Sequence, residues 1–198
     1  MSPYSYNAIK KIAAQFLDKY HPSGELPIPI EEIIELKLEI NVIPVPGLLK
    51  FGVDAYTWSD LKNIIVDDYF YKKNIKRLRF TLAHEIAHII LHGDFIKKCP
   101  RSSIDEYRQY VQTIGNIQHA RMESEADRFA GLILAPPLQL AIKYSEAKNL
   151  ELTNGINFTD ETVRGYVADW IADFFEVSAQ TIETRMCYDK HWAFLPRK

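Results

Sequence analysis

Cysteine is scarce: Cys99 and Cys187 are the only two in 198 residues, far apart and in no CxxC pair. That argues against a disulfide framework and suits free thiols in a reducing compartment. An excess of charge is also missing. Twenty-four basic residues stand against 26 acidic ones, for a net charge of -2, so no overall basic field recruits nucleic acid or an anionic membrane. Long hydrophobic runs are absent as well: the longest uncharged stretch, Phe129 to Ile142, is short and holds Pro136 and Pro137, which excludes a bilayer-spanning helix. The opening "MSPYSYNAIKKIAAQFLDKY" is broken by charges and lacks the apolar core of an export signal. No internal repeat, low-complexity tract or clean linker divides the chain. These absences predict a soluble, cytoplasmic protein.

What is present, 47% hydrophobic and 25% charged side chains, is enough for a single domain that buries roughly 70% of its unfolded-state surface. Ile9, Ile12, Ala13, Phe16, Leu17 and Tyr20 recur at helical spacing, and "HPSGELPIP" ends that helix. A short helix, "IEEIIELKL", leads into three expected strands, "INVIPV", "LLKFGVDAYT" and "NIIVDD". From Phe80 the pattern is helical, interrupted at "CPRSS", at "APP" and at "ELTNGINFTD". Strands early and helices late predict an α+β fold: a small sheet in the N-terminal half, then a mostly helical C-terminal half. One domain over 1–198 is expected, with helices and sheet in 1–79, site helices in 80–137 and further helices in 138–198.

The stretch "TLAHEIAHIILHGD" sets three histidines four residues apart in an otherwise apolar run, with one glutamate among them. Burying ionisable groups in this way is costly unless something pairs with them, and a metal ion could be that partner. On a helical wheel His84, Glu85 and His88 fall within one arc, opposite Leu82, Ile86, Ile89 and Ile90. Imidazoles one turn apart can converge on one ion, the HExxH arrangement. An accidental match in a chain of this composition has about a 1% expectation; the competing reading is a pair of core histidines satisfied by backbone carbonyls. His92 lies about 12 Å further along the helix, too far for the same ion. It is expected at the helix terminus or pocket rim, with Gly93 as C-cap. Asp94 stands where some metallopeptidases place a third ligand, but Leu91 occupies the position at which they need a glycine turn.

A better third ligand lies in "RMESEADRFAGLILAPP", a helix stopped by the proline pair. Glu123, Asp127, Ala130 and Leu134 share one face, with Ala126 beside it, so the small alanines allow close approach to the HExxH helix. Glu125 points the opposite way and is expected to be a solvated charge between Arg121 and Arg128. Two histidines and Glu123 leave one position of a zinc site open for water. Zinc would acidify that water and polarise a carbonyl, with Glu85 as general base. Asp127 is placed to orient a ligand histidine, or is simply a solvated helix charge.

"RFTLAHEIAHIILHGD" followed by "ESEADRFAGLILAPP" strongly resembles the ImmA/IrrE family of zinc metallopeptidases, whose members pair an AHExxH helix with an ExEAxxFAxxLLxP helix. The resemblance extends upstream through "IPIEEIIELKLEINVIPVP" and "NIIVDD" and downstream to "FFEVSAQTIETRM". It implies His84, His88 and Glu123 as zinc ligands and Glu85 as the catalytic glutamate. It also implies a regulatory protein, such as a DNA-binding repressor, as substrate. The segment 95–119 is not part of the shared pattern, and "APP" replaces the usual LMP ending.

Two other classes compete. A DNA-associated regulator is suggested by "ADWIADFFEVSAQTIETRM", which reads as helix, turn and helix with Ser178 as N-cap. Its second helix carries only Arg185 as a base, so core packing is the expected purpose and no direct nucleic-acid contact is predicted. The basic run "YKKNIKRLR" is a better patch, although a solvated face is the default for such a run. The other rival is a binding module with a structural zinc, against which an intact Glu85 argues. Tyr69, Tyr107, Tyr110, His92 and His119 are all candidates for stabilising an oxyanion, and distance would choose among them. Oligomeric state is left open.

Overall fold

A computed structural model describes residues 3–154 and 161–189. α1 (Tyr6–Tyr20) is capped by Ser5, whose Oγ accepts from the Ala8 amide, and buries Ile9, Ala13 and Phe16. A single α-helical turn, α2 (Ile30–Glu32), runs on as a π-helical turn over Ile33–Lys37. Three strands follow in the order β1 (Asn41–Val45), β3 (Asn63–Asp67), β2 (Ala55–Thr57), with β3 parallel to β1 and antiparallel to β2. The central strand is apolar without alternation because both its faces are covered. Ile64 and Val66 join the main core, while Ile65 and the neighbouring Tyr56 join a smaller cluster with Leu48 and Val53.

The expected strand "LLKFGVDAYT" is realised only in its last three residues. Leu48–Phe51 instead forms a 3-10 turn between Gly47 and Gly52, both left-handed, at φ of 90° and 70°. Asp67 stabilises this departure. Its buried carboxylate accepts from the amides of Leu49 and Tyr69, and these and further backbone hydrogen bonds outweigh burial, holding its pKa below the usual range. The β2–β3 ladder also fixes which groups of β2 remain unused. Asp67 N donates to Asp54 O and Trp58 N to Asn63 O, so residues 54, 56 and 58 bond toward β3. The amides and carbonyls of Ala55 and Thr57 therefore point off the open edge.

α3 (Asp68–Lys73) is followed by α4 (Ile75–Ile96), 22 residues and about 33 Å long. It begins before Phe80 because the Asn74 side chain caps it, accepting from Arg77 N. It also runs through Gly93 rather than ending there. A Cβ at Gly93 would come within 2.9 Å of Leu61, so this glycine serves close packing and not a cap. Much of the basic run is spent within the fold: Arg77 pairs with Asp54, Lys76 with Asp173, and buried Arg79 with Glu31 and the Ile28 carbonyl.

The remaining helices are α5 (Ile104–Thr113), α6 (Asn116–Leu134), α7 (Pro137–Asn154), α8 (Glu161–Phe175) and α9 (Ala179–Tyr188), the last capped by Ser178 as expected. α7 thus extends to Asn154, and the rest of the expected loop "ELTNGINFTD" lies outside the described residues. The fold is α+β, with a small mixed sheet in the N-terminal half and helices dominating the C-terminal half. Among the described residues no helix is long and apolar enough to cross a membrane.

α6 organises the interior. One side lies along α4, with Ala126 and Ala130 fully buried, as the small residues predicted; the other meets α1, where Phe16 and Phe129 pack edge to face with ring centroids 5.8 Å apart. Ala126→Leu, which overfills that helix contact, is expected to cost about 1–3 kcal/mol in chemical denaturation. A change within about 0.5 kcal/mol would mean that close approach is not required there.

Candidate metal centre

α4 projects His84 and His88 from successive turns, their rings edge to face with centroids 4.7 Å apart and their Nε2 atoms 3.0 Å apart. From α6, Glu123 brings Oε2 to 3.1 Å from His84 Nε2 and Oε1 to 3.3 Å from His88 Nε2. The ligand-type atoms of His84, His88 and Glu123 all lie within 4.8 Å of one another, a group that could hold a metal ion. Asp94 is exposed and stands outside this group.

The outer partners fix how the rings face. His84 Nδ1 lies 2.9 Å from Asp127 Oδ1, a carboxylate that can only accept, so this nitrogen carries a proton and Nε2 is the one turned toward Glu123. His88 Nδ1 is 3.0 Å from His92 Nδ1, and His92 Nε2 is 3.0 Å from Glu125 Oε2. With His92 donating to Glu125, its Nδ1 accepts from His88, which likewise turns His88 Nε2 toward the centre. His84 Nε2, His88 Nε2 and the Glu123 carboxylate then converge on one point, where a cation, either a shared proton or a metal ion, balances the carboxylate. The donor set fits a divalent metal with nitrogen and oxygen ligands.

The electrostatics agree. Burial disfavours a charged His84, yet the hydrogen bonds to Asp127 and Glu123 and the nearby Glu85 charge outweigh it and raise its pKa to about 10. The centre prefers positive charge, which a dication would supply. Burial pushes the Glu123 carboxyl upward, but its hydrogen bonds with His84 and His88 prevail and hold it well below the usual range. Burial lowers His92 to about 4 despite Glu125, in keeping with the neutral ring that the relay needs.

Glu125 overturns the expectation of a solvated charge. It is 2% exposed, accepts from His92 through Oε2, and takes the Tyr4 amide on Oε1 at 2.9 Å. Glu125 does not point away from the site helix as expected: like Glu123 it reaches a histidine of α4, and the segment before α1 covers its other oxygen in place of water. His92 is corrected too: it is fully buried inside α4, not at a terminus or rim. Periodicity cannot reveal either feature, because it gives an angle and not what lies there.

Glu85 is buried, and its Oε2 accepts from Thr57 Oγ1 at 2.7 Å. Thr57 reaches it because the α4-facing side of β2, which also carries Ala55, lies against that helix. No pattern in the sequence marked Thr57. Beside these groups opens a cavity of about 1120 Å³, lined by His84, Glu85, His88, Glu123, Ala55 and Asp127 among others. Of the residues considered for an oxyanion, Tyr107 and His119 line it, with His119 Nε2 3.5 Å from Glu123 Oε1. Tyr69 is 55% exposed and elsewhere, Tyr110 is buried behind the wall, and His92 is committed to the relay.

A family model described as the IrrE N-terminal-like domain, Peptidase_M78, matches residues 38–186. No curated protein is matched. Among solved structures, a Mycobacterium tuberculosis transcriptional regulator superposes with a TM-score of 0.56 over 92% of this chain at 16% identity, a likeness of fold. This chain spans 47% of that one's length.

Glu125→Leu leaves buried His92 and the Tyr4 amide without their acceptor. A loss of about 1–3 kcal/mol is expected in urea denaturation. A solvated glutamate would give a change within about 0.5 kcal/mol, and that result would refute the buried relay.

Proposed function

The chain belongs to the Peptidase_M78 family, the IrrE N-terminal-like domain, and from that premise we propose that it is a zinc-dependent endopeptidase acting on an extended segment of a regulatory protein such as a DNA-binding repressor. The observation that carries this reading is a division of labour. His84, His88 and Glu123 bring their ligand atoms within 4.8 Å of one another, while Glu85, on the same helix, is held apart from them by Thr57. A purely structural site has no use for that fourth group.

In this reading His84, His88 and Glu123 are the zinc ligands, and Asp127 and the His92–Glu125 pair orient the two rings. Zinc bound there would lower the pKa of a water toward about 7 and polarise a peptide carbonyl. Glu85 takes the proton from the attacking water on a carboxylate oxygen and delivers it to the leaving amine, while the Thr57 hydroxyl steadies the other oxygen. The open amides and carbonyls of Ala55 and Thr57 offer a peptide main-chain hydrogen bonds as an added antiparallel or parallel strand beside the centre. Tyr107 or His119 stands on the wall to stabilise the charge that develops on the carbonyl oxygen.

A DNA-associated role finds less support. Arg185, the sole base expected of the second helix, is buried and donates to the Ala135 carbonyl, the Tyr6 hydroxyl and Asp189, so it is spent in packing. Arg77, Lys76 and Arg79 are likewise paired.

Elemental analysis after remetallation is expected to find one zinc per chain in the wild type and in Glu85→Gln, and to find it lost in His88→Ala and Glu123→Gln. Full zinc retention in His88→Ala would remove the ligand assignment.

Incubated with the repressor encoded nearest its gene, the wild type is expected to cut it at a site mapped by mass spectrometry, and Glu85→Gln at least roughly 100-fold more slowly. Tight binding without cleavage by both variants would favour a binding module instead.

A further inference from the structure

Arg101, a cation in the cavity wall, has no counter-ion among the described residues. Arg101 is 3% exposed and lines the same cavity as His84 and Glu85, yet among the described residues its guanidinium makes no hydrogen bond or ion pair. Its contacts are to aromatic faces: its Cζ lies 4.6 Å from the Tyr110 ring centroid and 5.0 Å from that of Tyr107. Tyr107 in turn stacks on Tyr56 of β2, with centroids 5.0 Å apart and planes at 22°. Cation–π contact offsets part of the cost of burial, but the buried Nε–H has no acceptor, and a buried charge without a partner is among the most costly arrangements in a protein. What is unbalanced is charge, not merely a hydrogen-bond donor. An anion from outside the chain would correct that, whereas a neutral carbonyl would not.

The position of Arg101 indicates where that anion comes from. A strand added to the open edge of β2 presents alternate side chains to the two faces of the sheet. One set points as Ala55 and Thr57 do, toward α4 and the metal centre. The other points as Tyr56 does, toward Tyr107 and Arg101. Building on the peptidase reading above, we propose that Arg101 is a specificity residue that receives a carboxylate of the bound peptide, an Asp or Glu side chain beside the scissile bond. The planar guanidinium, fixed against two rings, suits bidentate contact with a carboxylate.

The test uses the zinc-loaded full chain as wild type, Arg101→Gln and Arg101→Lys. The probes are three sets of acetylated octapeptides: one with a single Glu scanned through a neutral background and an amidated end, its Gln-matched set, and the Gln set with a free terminal carboxylate. Affinity is read by competition fluorescence polarisation, cleavage by mass spectrometry, and folding and zinc by thermal melting and elemental analysis.

The wild type is expected to bind the best Glu peptide about 10- to 100-fold more tightly than its Gln match. Arg101→Gln should abolish that preference while keeping zinc and a cooperative melt, and Arg101→Lys, which keeps the charge but not the fork, should retain part of it. A preference confined to the free-terminus set would overturn the side-chain assignment in favour of a terminal carboxylate. Equal binding of Glu and Gln peptides by the wild type, or no binding of either, overturns the proposal. So does a fall in kcat in Arg101→Gln that is the same for both peptides, which would place the guanidinium at the scissile carbonyl. A Glu preference without any cleavage upholds Arg101 and instead removes the endopeptidase reading; cleavage without the preference does the reverse.

Discussion

A helix that carries three histidines and a glutamate into an apolar interior is stable only if each of those groups finds a partner. α4 meets that constraint almost entirely through α6. Glu123 faces His84 and His88, Asp127 holds the outer nitrogen of His84, and Glu125 holds His92. All three carboxylates lie within five residues of one another, and they reach α4 because Ala126 and Ala130 let the two backbones come close. Thr57 on β2 completes the set by taking Glu85. The sheet, α1 and the C-terminal helices can be understood as what holds these two helices in register.

The pairing also explains the chemistry available at the centre. Each ring has one nitrogen turned outward to an acceptor, so the other is turned inward toward Glu123, and a metal binding there would displace the proton that the raised His84 pKa keeps in the centre. The orientation of His88 depends on a relay that ends at the backbone of Tyr4, far from the centre in sequence. A substitution in the segment before α1 can therefore disturb a ring it never touches.

The α+β class was legible from the order of strand-like and helical segments, and the two site helices, their facing alanines and the convergence of His84, His88 and Glu123 because each is a matter of spacing along a helix. What was not legible depends on which surface meets which. Glu125 and Arg121 have the spacing of an exposed pair, and only α1 and the segment before it, folded over that face, make the carboxylate buried. Gly93 has the composition of a cap, yet the side chain of Leu61 decides its role. The expected strand from Leu48 has strand-like residues, but Asp67, eighteen positions after Leu49, draws its amide into a turn. Thr57 and Arg101 carried no signal, since a lone threonine or arginine acquires meaning only from what it is folded against.

The brevity of β2 bears on colloidal behaviour. An open edge beside a cavity is also a template on which copies of a chain can zip together, and long flat edges of that kind seed precipitation. Here the strand is three residues, Ala55–Thr57, and the chain turns back after Trp58. Only Ala55 and Thr57 offer outward amides and carbonyls, enough to seat a short guest whose side chains fill the neighbouring pockets. The edge is too short to hold a second copy by backbone pairing alone. The same economy that limits what the edge can grip spares the molecule from gripping itself.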